Sequence, residues 1–270
     1  MNPGAGALEF GLVGQRTVVT RAYARSPLRL LNPRNHGPSA WVYTSTYGGG
    51  LVGGDTIDLR VSVGAGATAL LATQASTKVY RSPPRRPCHQ RLAAQVDGDG
   101  LLVLAPDPVV CFAGSRFAQQ QTIHLSATAS LWLIDWLSAG RLASGERWDF
   151  DSYSSRIEIW QDGQQLVHEA VRLSSEPGSL TERLGRMNAL AVVVVVGHKL
   201  RSAAARLLAA LKPTTAERQP QLLIVGSPLG SGGALLRLGG ASLEQVGGAL
   251  REFCQFLLPL LQDDPWSRRW

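Results

Sequence analysis

Along the first two-thirds of the chain, apolar and polar residues alternate with a period of two. In Thr56–Val63, Ile57, Leu59, Val61 and Val63 fall on one face and Thr56, Asp58, Arg60 and Ser62 on the other. That is the pattern of a strand with one face buried. Comparable β-branched runs occupy 16–24, 41–46, 67–73, 91–96, 101–104, 119–125, 130–136, 156–161 and 164–173. Gly64-Ala65-Gly66 marks a turn, and Asp162-Gly163 between the last two runs marks a tight hairpin.

The last third changes period. Residues 201–212 place Ala204, Leu207, Leu208 and Leu211 at helical spacing and stop at Pro213. A second helix begins at Ser242, with Gln245 placed for a capping box. It runs through Leu243, Val246, Leu250, Phe253 and Leu257 and ends before Pro259. Two strands, 221–225 and 234–238, lie between the helices across a Gly/Ser-rich turn. No repeat of fixed period is visible. The pattern predicts a mainly β chain with two C-terminal helices, organised as a single domain over 1–270. A β-rich body, 16–189, precedes a β-α-β-β-α portion, 190–262.

Composition narrows the class. A chain of this length buries about 70–75% of the surface its unfolded form exposes. With 44% hydrophobic residues, no metal or disulfide staple is needed. The apolar run Leu190 to Val196 has seven residues, against about 20 for a membrane-spanning helix. Its β-branched content suits a buried strand, and no membrane partner is expected. Met1 to Gly14 lacks a basic n-region and a long apolar stretch, so no secretory signal is expected. Cys88, Cys111 and Cys254 are odd in number and far apart, the usage of a reducing compartment, so a cytoplasmic address is expected.

The formal net charge is +7, carried mostly by scattered arginines. Local clusters are Arg81, Arg85 and Arg86 around Pro83-Pro84, and Arg268-Arg269 at the tail. Aromatic residues do not interleave with them as in single-strand binders. Docking of acidic protein faces is therefore the first use of the charge, and a basic β-rich nucleic-acid-binding protein the alternative.

Motifs for chemistry are sparse. Gly48-Gly49-Gly50-Leu51-Val52-Gly53 matches G-x-G-x-x-G, but the segment runs straight into the strand 56–63. A dinucleotide site needs the motif to open a helix, whose N-terminal amides hold the pyrophosphate. The segment reads as a glycine-rich turn capped by Asp55. Cys88-His89 has no C-x-x-C or H-x-x-x-H partner nearby, and His36, His124, His168 and His198 are isolated. No G-x-S-x-G elbow and no carboxylate pair stands out. No catalytic role and no tightly bound cofactor is expected.

Three segments carry a resemblance. They are Gly49-Gly50-Leu51-Val52-Gly53-Gly54-Asp55, then Leu70-Leu71-Ala72-Thr73-Gln74-Ala75-Ser76-Thr77-Lys78-Val79-Tyr80-Arg81-Ser82, then Gly140-Arg141-Leu142-Ala143-Ser144-Gly145-Glu146. In this order and spacing the chain resembles the UreD (UreH) family of urease accessory proteins. Its signature residues here are Gly53, Gly54, Lys78, Tyr80, Arg81, Arg141 and Glu146. The sequence departs from the family pattern at Thr46-Tyr47-Gly48, where His-Pro-Pro is usual, and at Ala105-Pro106 and Val110-Cys111-Phe112, where Leu-Pro and Ile-Pro-Phe are usual.

The resemblance implies a β-helix-like or stacked-sheet scaffold with a pair of helices. It implies partners: a UreF-type accessory protein, a UreG-type GTPase and apo-urease. It also implies nickel in transit through the interior, past acids that match Asp55, Asp135 and Glu169. For Asp135 the other reading is a structural pairing, for instance with Arg141. For Asp55 it is turn-capping, and for Glu169 an exposed strand position. The helix at 242–258 and the tail 265–270 are candidate partner contacts, the tail alternatively folding back over the core.

Overall fold

The computed structural model describes residues 3–34, 37–83, 86–176, 178–211, 220–230 and 232–266; His36, Arg85 and the tail residues Ser267 to Trp270 lie outside them. The chain alternates between two sheets. β1 (Ala5–Val13) and β2 (Arg16–Ala24) pair in the first, β3 (Leu28–Leu31) and β4 (Ala40–Thr46) in the second. Three successive passages then each give a strand to both sheets. β5 (Thr56–Val63) leads to β6 (Thr68–Thr73) and the short β7 (Thr77–Val79). β8 (Cys88–Val96) leads to β9 (Leu101–Ala105) and the short β10 (Val109–Cys111), and β11 (Arg116–Leu125) leads to β12 (Ser130–Ser138). β13 (Ser152–Gln161) and β14 (Gln164–Ser174) return to the first sheet. The single-turn α1 (Leu180–Arg183), β15 (Ala189–Gly197), α2 (Arg201–Ala210), β16 (Leu222–Leu229), β17 (Gly233–Gly240), α3 (Leu243–Phe253) and the short α4 (Leu258–Leu261) complete the chain.

The passages stack as the rungs of a β-solenoid. β1, β5, β8, β11 and β13 are parallel neighbours, as are β4, β6, β9 and β12. Antiparallel pairs close the ends: β1 with β2, β13 with β14, β3 with β4, β12 with β15, β15 with β17, and β17 with β16. The corners are bonded rung to rung, with Asp97 N to Val63 O at 2.9 Å and Ser126 N to Val96 O at 3.0 Å. Gly66 sits in one corner at φ +70, a conformation that glycine reaches without steric cost.

Two cores result, one on each face of the second sheet. Leu8, Phe117, Ile123, Leu131, Leu133 and Val194 lie in the core between the sheets. Trp132, Ile134, Val193, Val195, Val246 and Leu250 lie in the core beneath the C-terminal helices. A strand buried on both faces has no polar side to alternate with, which is why β12 and β15 read as nearly continuous apolar runs. The first sheet has one wetted face and keeps the alternation.

The expected helices form with small differences. The first ends at Ala210. Ser242 caps α3 with both capping-box hydrogen bonds in place. The chain also turns helically past Pro259: α4 takes the proline in its first turn, where a missing N–H leaves no bond unmade. Among the described residues, no helix is long and apolar enough to cross a membrane.

Candidate functional site

Parity along β12 decides where Asp135 points. Leu131, Leu133 and Leu137 face the core between the sheets, and so does Asp135, which is only 7% exposed. A buried carboxylate is costly unless it is hydrogen-bonded. The Gln119 amide nitrogen donates to its Oδ1 at 2.5 Å and the Ser155 hydroxyl donates to its Oδ2. Gln119 also donates to the Tyr153 hydroxyl at 3.2 Å. Burial raises the Asp135 pKa, the bonds from Ser155 and Gln119 oppose that rise, and the charge of nearby Glu169 adds to it.

Glu169 projects from β14 and is likewise buried. Its partner is Arg237 of β17, with Nε 2.9 Å from Oε1 and a second contact from Nη2 to Oε2. Two cavities flank these groups. One, of about 250 Å³, is lined by Thr44, Thr73, Gln90, Gln119 and Asp135. The other, of about 160 Å³, is lined by Asp135, Tyr153, Ser155, Glu169 and Arg237. Asp135 lines both. Among the described residues no three His, Cys, Asp or Glu side chains are placed to hold a metal ion together. The arrangement offers a cation isolated oxygen contacts rather than a closed coordination shell.

The signature segments meet at the end of the solenoid opposite the short corners, and Gly49, Thr73, Gln74 and Lys78 from the first two also line the first cavity. Leu51 N donates to Lys78 O at 2.8 Å and Tyr80 N to Leu51 O at 2.9 Å. The Tyr80 ring meets Phe112 edge-on with centroids 5.2 Å apart, and the Arg141 guanidinium lies 4.2 Å over the Phe112 ring. Arg141 is ion-paired with Glu146, which also accepts from Ala113 N at 3.2 Å. Gly114 packs against the Arg81 side chain, and Ser82 N donates to Gly114 O at 3.1 Å. Segments far apart in sequence are thus adjacent rungs.

The family model described as UreD urease accessory protein matches residues 2–270. The chain belongs to the UreD family of urease accessory proteins. It is 52% identical to the urease accessory protein UreD of Sorangium cellulosum over 99% of this chain and 84% of that one. It is 42% identical to the UreD of Anaeromyxobacter over 99% of this chain and 90% of that one. To the urease accessory protein D of Oryza sativa subsp. indica it is 34% identical, over 97% and 94%.

In this UreD-family chain the three expected acids do not converge. Asp135 and Glu169 share a cavity. Asp55 lines neither cavity and caps its own turn, accepting from Val52 N at 2.9 Å. Two expectations are corrected. Arg141 is not the partner of Asp135, because Glu146 five residues on holds it at the solenoid end. Glu169 is not exposed, because β14 turns it inward onto Arg237. Sequence reading missed Gln119, Ser155 and Arg237. Parity holds the signal for the first two, since Gln119 follows Phe117 and Ser155 follows Tyr153 on inward faces. Arg237 interrupts the apolar run Leu235-Leu236-Arg237-Leu238. The apolar face of α3 is buried on the core, and Trp266 at the start of the tail packs on that core beneath Arg251.

Proposed function

We propose that this chain is a non-catalytic scaffold acting with UreF-type and UreG-type (GTPase) accessory proteins on apo-urease, and that nickel in transit passes through its interior. The observation that carries the reading is the buried carboxyl of Asp135 lining two cavities, with Glu169 on the far one. Stripping water from a divalent ion is costly, so a route needs oxygen contacts along it. Those contacts must also be too few to trap the ion.

The acid pair suits that task. Burial and the Glu169 charge raise the Asp135 pKa, so a cation beside that carboxyl offsets a charge that the site otherwise disfavours. No cofactor is held tightly in this scheme. The three buried, free thiols support a cytoplasmic address.

The test is Asp135→Ala with Glu169→Ala, co-expressed with urease and the other accessory proteins. Urease nickel content is expected to fall while the accessory complex co-purifies as before. Normal nickel loading would remove the interior route, and loss of the complex would make these residues structural.

A further inference from the structure

The outer face of the first sheet carries a feature that the interior route does not use. The strand register puts His89, Ala118, Ser154 and Arg172 in one cross-strand row, and Arg91, Gln120, Arg156 and Ala170 in the next. The small side chains Ala118, Ser154 and Ala170 leave a groove of about 630 Å³ between taller neighbours. His89, Arg91, Arg156 and Arg172 line it, and no aspartate or glutamate does. The three arginines are exposed.

Their charges are available in unequal measure. Arg91 is shared with Asp58 at 3.2 Å, at the rim. Arg156 and Arg172 make no ion pair among the described residues. Arg156 and Arg172 are diagonal neighbours on adjacent strands, roughly 7–8 Å apart at the backbone. Arg91 and Arg156 share a row with β11 between them, about 10 Å apart. An extended peptide repeats its same-face side chains about every 6.6–7 Å. Guanidinium forks fit carboxylates in pairs of parallel hydrogen bonds.

We propose that this groove docks an extended acidic segment of a partner protein, its alternate carboxylates meeting Arg172 and Arg156, with Arg91 at the rim. The face suits a protein better than a nucleic acid. Asp58 beside Arg91 and Glu158 along β13 interrupt the continuous positive field that a phosphate backbone needs. The stacked pair on the same sheet, His124 and Trp160 with centroids 6.3 Å apart, is one stack rather than a series of aromatics between arginines.

The experiment titrates the full chain into a rhodamine-labelled ten-residue peptide of alternating glutamate and serine, read by fluorescence anisotropy. Binding is expected at low salt and is weakened by about 0.3 M salt. Arg156→Glu with Arg172→Glu is expected to weaken it about tenfold or more, as charge reversal at an electrostatic contact does. Arg21→Glu, on β2 at the other edge of the sheet, should change it less than about twofold. If the double reversal fails to fold, Arg156→Gln with Arg172→Gln takes its place, with the same direction expected. Unchanged affinity in a folded variant overturns the proposal. So does a DNA duplex that binds more tightly than the peptide and is lost in the same variant. The Asp135→Ala, Glu169→Ala chain should bind the peptide as the parent does, so this inference and the interior route fail separately.

Discussion

Glu169 of β14 and Arg237 of β17 join the two sheets by a two-point ion pair at the wall of the interior cavity. Both ends of the contact matter differently. The Glu169 side chain is 11% exposed and the Arg237 side chain 48%, so only the carboxylate is left without water when its partner goes.

Arg237→Met is expected to destabilise the fold by about 1–3 kcal/mol. A fully buried orphaned charge costs about 3–5 kcal/mol, and the wetted arginine side screens part of it. Adding Glu169→Gln should return most of that loss, because no charge is then orphaned. Urea unfolding of the four members of this cycle checks it. A double variant no more stable than Arg237→Met would contradict the pairing.

Asp135→Asn should make stability less sensitive to pH. The folded state raises the Asp135 pKa above its unfolded value, so the native chain holds a proton that the unfolded chain releases. Parent stability therefore falls as pH rises from the ordinary carboxylate range through the raised value, then levels off. The asparagine variant has no such fall. Its advantage should grow across that window, reaching roughly 1 kcal/mol or about 2–4 °C in Tm near neutrality. Thermal melts across the pH series decide it; a gap that does not change with pH would count against a titrating Asp135.

Two glycines should respond in opposite directions. A Cβ on Gly50 would sit 2.6 Å from Tyr80 Cε2 and 2.8 Å from the Lys78 carbonyl oxygen. The carbonyl belongs to the paired backbone and cannot swing away. Gly50→Ala is expected to cost about 1–3 kcal/mol. Gly248 lies within α3, exposed, with open space where its Cβ would go. Gly248→Ala should stabilise by about 0.5–1 kcal/mol through helix propensity. Denaturant midpoints of the two variants give the comparison.

Glu146→Ala should loosen the loop at the solenoid end without unfolding the body. It removes the acceptor of Ala113 N and the partner of Arg141. The Arg141 hydrogen bond lowers the Glu146 pKa, so its contribution is present above the ordinary carboxylate range and lost as pH falls through the lowered value. Hydrogen exchange at Ala113 and across 141–146 is expected to quicken several-fold in the variant, with the β12 amides unchanged. Equal protection in parent and variant would show that the loop is held by other contacts.

Local pattern located most of the first sheet. β5, β11, β13 and β14 alternate because one face meets water and the other meets the core. Asp162 and Gly163 form the hairpin with φ of 50 and 75, the pair of positive values that the turn requires. The Ser242 cap formed for the same reason: its partners lie three residues away. β1 left a shorter trace, with only Leu8, Phe10 and Leu12 alternating with Glu9 and Gly11. Ala5-Gly6-Ala7 has weak strand propensity, and the segment is held as a strand by its parallel pairing with β5 some fifty residues later.

The residues by themselves determined a β-rich body, late capped helices and the family signature, since periodicity, turn chemistry and motif spacing are written within a few residues of one another. Only the tertiary structure decided that Asp135 is held by Gln119 and Ser155, that Glu169 is buried against an arginine sixty-eight residues away, and that Arg156 and Arg172 stand side by side over small residues. Parallel rungs bring together positions separated by a whole passage of chain. Which side chains then face each other depends on register, and register is set by the packing of the whole sheet rather than by any neighbour in sequence.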